Sequence, residues 1–254
     1  MSLKHRDPPI LLSEERGVRY LHFGSPWVQG AMRIARPFDI EIDYVRQMMA
    51  WLLFLDPPAQ LLQLGLGAAA LTKFCWRKLP QTRLTAVDSS RAVIDCARNH
   101  FALPDDDERL RVVADDAGRF VAQPAQRGRY GVIQIDLYDR HARGPVLDSL
   151  AFYRDCHRAL AAPGVLVVNL FGEPASFERS EARLGEVFGA RTLALPPVPA
   201  GNVVLLAFKG PPLAVSWELL ARRAREVERR WRLPARGWYE AIRARQSGFS
   251  EFFV

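Results

Sequence analysis

The chain has 254 residues, with 35 Lys+Arg against 28 Asp+Glu and a formal charge of +7; 31 of the cations are arginine. Hydrophobic residues make up 49% and charged residues 25%. That is ordinary globular composition, and it excludes a disordered, collagen-like or low-complexity chain.

Three cysteines at wide spacing, Cys75, Cys96 and Cys156, match neither a disulfide framework nor a zinc pattern. Each falls in a helical stretch and reads as a small core residue, and no metal site is expected. The apolar run near the N-terminus is too short for a signal-peptide core. The longest wholly apolar run, eight residues from Met48 to Leu55, is far below the ~20 that span a bilayer. A cytoplasmic protein without a membrane partner is the expectation. Most arginines are scattered, which weighs against a nucleic-acid footprint.

In chain order, residues 18–34 hold two Val/Ile/aromatic runs split by Gly-Ser-Pro, predicting a β-hairpin. Asp39 to Leu55 carries apolar residues at helical spacing and ends at Asp56-Pro57-Pro58, predicting one helix. A strand-helix alternation follows. Strands are expected at 59–64, 83–87, 110–114, 130–135 and 165–170. Helices are expected at 68–79, 89–101, 147–160 and 181–188. Two last strands, 191–195 and 203–208, have no helix between them and should pair antiparallel. Continuous apolar strands with intervening helices imply a doubly wound sheet covered on both faces. In the tail, Trp217, Leu220, Ala224, Val227 and Trp231 recur at helical spacing with arginines between, predicting an amphipathic helix. The expected units are 1–38, a β-hairpin region; 39–211, a Rossmann-like nucleoside-binding domain; and 212–254, a helical tail.

Ligands of such sheets sit beyond the carboxyl ends of the strands. The first strand runs into Gly65-Leu66-Gly67, a turn that lets backbone approach a ligand. The second ends at Asp88, placed to accept ribose hydroxyls. The third ends at Asp115-Asp116-Ala117, where a carboxylate could accept from an adenine amino group. The fourth ends at Asp136-Leu137-Tyr138-Asp139. Each alone is readable as a loop carboxylate or a helix cap, Ser89 being one such cap. Their ordered succession suits an adenosine bearing a sulfonium. Position 70 is Ala, not the third Gly of a dinucleotide fingerprint, and no Gly-Lys-Ser/Thr phosphate loop is present.

The segment LDSLAFYRDCHRALAAPGVLVV (147–168) resembles the "LFTxxFYxxCxxxLxPGGxxxx" stretch of the spermidine/spermine synthase (polyamine aminopropyltransferase) family. Pro197-Val198-Pro199-Ala200-Gly201 is similar to its "x-Tyr-Pro-Ser-Gly". The resemblance runs from about Gly17 to Gly210. It implies a seven-stranded class I methyltransferase-like α/β fold and decarboxylated S-adenosylmethionine as co-substrate. It also implies a small amine as acceptor and a homodimer formed through the N-terminal region.

By the same resemblance Gly65 and Gly67 embrace the sulfonium nucleoside, Asp88 holds its ribose, and Asp116 with Ala117 meets adenine. Asp136 and Asp139 bind and deprotonate the amine beside Tyr44, and Gln29 of the hairpin helps close the site. The family pattern is broken at Ala68 and Ala69, where it has Asp-Gly, at Val45 and Val198, and by Arg140, His141 and Arg143 after Asp139. Those departures keep two alternatives open: a methyltransferase using S-adenosylmethionine, and a non-catalytic nucleoside-binding protein.

Overall fold

The computed structural model describes residues 9–138 and 146–254; the expectations for Asp139, Arg140, His141 and Arg143 lie outside the described residues. The N-terminal region holds three antiparallel strands, β1 (Leu11–Glu15), β2 (Val18–His22) and β3 (Val28–Arg33). The sequence suggested only the last two. β1 is exposed at every position, so it has no apolar alternation to betray it.

The helix expected over 39–55 is broken in two. Helix α1 covers only Asp43–Gln47, and a 3-10 turn covers Ala50–Leu53. The cause is burial on every side: Met48 through Phe54 are all buried. A segment without a solvent face need not keep a single helical stripe, so its apolar spacing overstates the helix.

The alternation then appears as β4 (Gln60–Leu64), α2 (Ala70–Lys78), β5 (Arg83–Asp88), α3 (Arg91–His100) and β6 (Leu110–Ala114). It continues through α4 (Ala117–Ala122), β7 (Tyr130–Ile135), α5 (Leu150–Ala159), β8 (Leu160–Leu170), α6 (Pro174–Phe188), β9 (Thr192–Ala194) and β10 (Val203–Lys209). The sheet order is β6-β5-β4-β7-β8-β10-β9. β4 through β8 pair in parallel, and β10 is antiparallel to both neighbours. The short α4 went unread, being too brief to show a period. Ser90, not Ser89, caps α3, accepting from the Val93 amide at 3.1 Å. Helix α6 starts earlier than expected, with Pro174 in its first turn, where a missing N–H costs nothing.

Two apolar clusters cover the sheet faces. Each fully buried Leu or Phe contributes about 1.5–3 kcal/mol. The three cysteines are buried in them and unpaired.

The tail adds β11 (Ala214–Ser216), α7 (Trp217–Trp231), α8 (Ala235–Arg245) and β12 (Glu251–Phe253), with β11 and β12 paired antiparallel. Leu220, Ala224, Val227 and Trp231 are buried, while Arg222, Arg225, Arg229 and Arg230 face solvent. Phe252 is fully buried with its ring 4.9 Å from that of Phe54. The tail thus completes the core cluster that surrounds residues 48–54.

Polar side chains inside the sheet tie α1 to it. Gln63 and Gln134 face each other in the β4–β7 register and share a 3.0 Å hydrogen bond. Gln134 also donates to the Met48 carbonyl at 3.0 Å, and Gln47 donates to the Pro196 carbonyl at 3.0 Å. Buried amides left unpaired would cost about 1–3 kcal/mol each, so these bonds fix where the segment carrying Tyr44 sits.

Lys73 on α2 is 1% exposed and donates to the Phe101 carbonyl at 2.6 Å. Burial lowers its pKa from 10.5 to about 7. The unfolded chain, with an ordinary lysine, therefore binds the extra proton between about pH 7 and pH 10.5. Stability contributed at this position rises with pH across that window, with a slope approaching about 1.4 kcal/mol per unit. Urea unfolding of wild type and Lys73→Met from pH 6.5 to 9.5 should show the wild type gaining on the variant as pH rises. A constant difference would mean that Lys73 stays charged in the fold.

Candidate active site

A cavity of about 1170 Å³ opens at the carboxyl ends of the parallel strands. It is lined by Gln29, Tyr44, Gly65, Gly67, Asp88, Asp116, Ala117 and Asp136, so the structure brings together every candidate residue it describes. Its described lining residues include three carboxylates, Asp88, Asp116 and Asp136, and no Lys, Arg or His. A protein with a +7 formal charge therefore presents a cavity lined by anions, which favours a cationic ligand.

Each side chain is placed by the strand end that carries it. Gly65 follows β4 with φ +96°, a conformation that L side chains rarely adopt, and its amide donates to the Val87 carbonyl at 2.9 Å. Asp88 at the end of β5 accepts from the Leu66 amide at 3.0 Å and from the Ser90 amide at 2.9 Å. Those two bonds join the glycine turn to the carboxylate and fix their spacing. Asp116 follows β6 and caps α4, accepting from the Arg119 amide at 2.7 Å. Its neighbour Asp115 pairs with Arg119, which separates the two carboxylates: Asp115 is held by a cation, and Asp116 lines the cavity.

Asp136 lies just past β7. Its Oδ2 accepts from the Tyr44 hydroxyl at 3.3 Å, and its Oδ1 accepts from the Asn169 side-chain amide at 2.9 Å. Burial pushes its pKa up, and the two hydrogen bonds pull it partly back. Burial, and then the charge of Asp136, raise the Tyr44 pKa well above 10, so Tyr44 remains a donor. Asn202 donates to the Asn169 side-chain oxygen at 3.0 Å, and the Tyr138 hydroxyl donates to the Asn169 backbone carbonyl at 2.8 Å.

Sequence reading missed Asn169 and Asn202. Asn169 interrupts an apolar run one residue before its end, where one polar residue in VLVVNL was the available signal. Asn202 follows the Pro199-Ala200-Gly201 turn, whose resemblance to the family segment marked the place without marking the asparagine. The outer wall is aromatic: Trp27 and Tyr138 each meet the Phe171 ring edge-on, at 5.8 and 6.5 Å between centroids.

The strand order, with a reversed strand inserted next to the edge, defines a class I methyltransferase-like fold, and a carboxylate-lined cavity opens at its switch point. No protein-family model matches the chain. The chain is 35% identical over 226 residues to the polyamine aminopropyltransferase of Chromobacterium violaceum, covering 89% of this chain and 86% of the relative. It therefore belongs to the polyamine aminopropyltransferase family. The fold agrees with a probable spermidine synthase from Corynebacterium glutamicum at a TM-score of 0.72 and 20% identity, over 85% of this chain and 83% of that one. It also agrees with human methyltransferase-like protein 13 in complex with SAH at 0.68 and 22%, over 76% and 93%. Among the described residues no helix is long and apolar enough to cross a membrane.

Proposed function

We propose that this chain transfers an aminopropyl group from decarboxylated S-adenosylmethionine to a small amine. The observation carrying this reading is Asp136: a partly buried carboxylate with a raised pKa, held by Tyr44 and Asn169 in a cavity that Asp88 and Asp116 also line. In this reading the turn at Gly65 and Gly67 passes around the sulfonium. Asp88 accepts from the ribose, Asp116 and the Ala117 amide meet adenine, and Gln29 closes the cavity from β3. Asp139 is the second acidic group of the acceptor end. The chain is read as three segments, 1–38, 39–211 and 212–254, in a cytoplasmic homodimer.

The chemistry needs little from the protein beyond position and one base. An alkylammonium of pKa ~10 is not nucleophilic until it loses a proton. Asp136 takes that proton. The freed nitrogen lone pair forms a bond to the propyl carbon next to sulfur, and the carbon–sulfur bond breaks with its electron pair returning to sulfur. The products are the alkylated amine and neutral methylthioadenosine. A raised carboxylate pKa narrows the gap across which the proton moves.

Calorimetric titration with methylthioadenosine and S-adenosylhomocysteine, followed by incubation of each sulfonium donor with a panel of amines, tests this reading. Methylthioadenosine should bind, and an amine should release it from the decarboxylated donor. Failure to bind either nucleoside, or methyl transfer from S-adenosylmethionine alone, would overturn the proposal.

A further inference from the structure

Beyond the base itself, a chain of two buried amides runs behind it. Asn169 is 2% exposed and Asn202 is 7% exposed. Asn202 stands at the start of β10, next to the turn in which the Gly201 amide donates to the Val198 carbonyl at 2.8 Å. Its own backbone carbonyl accepts from the Val198 amide at 2.9 Å. Two strands thereby meet at one point: Asn169 lies on β8, opposite Val204 in the antiparallel register with β10.

The hydrogen bonds have a fixed polarity. Asn202 Nδ2 donates to Asn169 Oδ1, and Asn169 Nδ2 donates to Asp136 Oδ1. An amide has one acceptor end and one donor end. By occupying the acceptor end of Asn169, Asn202 decides that the donor end faces the carboxylate. Asp136 Oδ1 is thereby engaged from the protein side. Oδ2, reached from the Tyr44 side at the longer distance of 3.3 Å, is the oxygen left to exchange a proton with a ligand.

We propose that Asn202 is a positioning residue that acts through Asn169 to make Oδ2 of Asp136 the proton-accepting oxygen. The inference rests on the assignment of Asp136 as base, but its test is separable from transfer. Among the described residues the titratable groups facing Asp136 are Tyr44 from α1 and Tyr138 from the end of β7. Burial raises the pKa of both tyrosines. They remain protonated while a carboxylate titrates, so a shift seen at Asp136 is not theirs.

Two variants read the polarity of the chain. Asn202→Asp keeps the shape, but a carboxylate cannot donate to Asn169 Oδ1. It draws Nδ2 instead, so that Asn169 turns its oxygen toward Asp136, an arrangement that favours protonated Asp136. Asn202→Ala removes the constraint without adding charge. The titration of the Asp136 side-chain carbon, followed by carbon-13 NMR and assigned by its absence in Asp136→Asn, should move to higher pH in both variants. The shift should be about one unit for Asn202→Ala and more for Asn202→Asp, the size expected for losing one hydrogen bond to a carboxylate and then adding a charge. Methylthioadenosine affinity should stay within about twofold, because the nucleoside end is untouched.

Where wild type turns over an amine, the acid limb of kcat against pH should move by the same amounts. Titration of Asp136 at the wild-type position in Asn202→Asp would overturn the proposal whether or not transfer is detected. Absence of transfer in wild type, with the NMR shifts present, would instead overturn the assignment of Asp136 as the base and leave the positioning chain standing.

Discussion

Asp136→Asn is expected to keep methylthioadenosine affinity within about twofold and to lower kcat by about 10²- to 10⁴-fold, the range over which a positioned general base contributes. The substitution is close to isosteric: the new amide oxygen can accept from Asn169 while its NH2 donates to the Tyr44 hydroxyl oxygen. In the proposed reaction the function lost with the carboxylate is then acceptance of the amine's proton. Asp88 and Asp116 sit on other strand ends, where their backbone partners hold them, and Tyr44 keeps its own proton. No other described lining residue of the cavity offers a carboxylate. Steady-state release of methylthioadenosine, with calorimetry on the same samples, measures both quantities. Wild-type turnover in the variant would remove Asp136 from the chemistry.

Gly65→Ala is expected to abolish measurable nucleoside binding and to destabilise the fold by roughly 3–5 kcal/mol. Two costs coincide. The residue adopts φ +96°, a region that an L side chain enters only under strain. A Cβ there would also press into the backbone carbonyl of Asp136, well inside contact distance. That carbonyl belongs to the end of β7, and the Asp136 amide donates to the Leu64 carbonyl at 2.9 Å. Relief must therefore come from moving β4 and β7 apart at the point where both carry site residues. For a chain of this length the loss amounts to roughly 10 °C in Tm, readable by scanning calorimetry beside Asp136→Asn, which should melt near wild type. A Gly65→Ala protein with wild-type Tm and nucleoside affinity would mean that the turn can be rebuilt.

The sheet was legible because most of its strands contain continuous apolar runs. β6 and β7 begin and end where apolar runs meet Gly, Asp or Arg, and the sequence bounds agree with the observed ones. The strand-end carboxylates were legible for a related reason: a charged residue closing an apolar strand has few roles other than facing a ligand or a helix N-terminus. Asp116 does both. What escaped reading depended on contacts distant in sequence. Asp39 to Leu55 looked like a continuous helix because its spacing was counted without knowing that the tail covers its outer side. Asn169 and Asn202 lie 33 residues apart, and their amides acquire meaning only through the β8–β10 register. The exposed β1 shows the opposite limit: a strand with no buried side chain, tied to β2 by backbone pairing and by polar contacts such as Arg19–Glu14, leaves no apolar signature.

Gly30 on β3 touches the glycine turn so closely that a Cβ there would fall 2.5 Å from the Cβ of Ala68. Two carbons cannot share that space, so the positions are tied across the chain's history. A descendant can exchange the residue at 68 for the Asp of the family pattern in a single step, provided 30 remains glycine. Giving up the β-carbon at 68 would not free position 30, because a Cβ at 30 also falls 2.9 Å from the backbone nitrogen of residue 68. Aligned relatives should therefore keep glycine at position 30 whatever residue stands at 68.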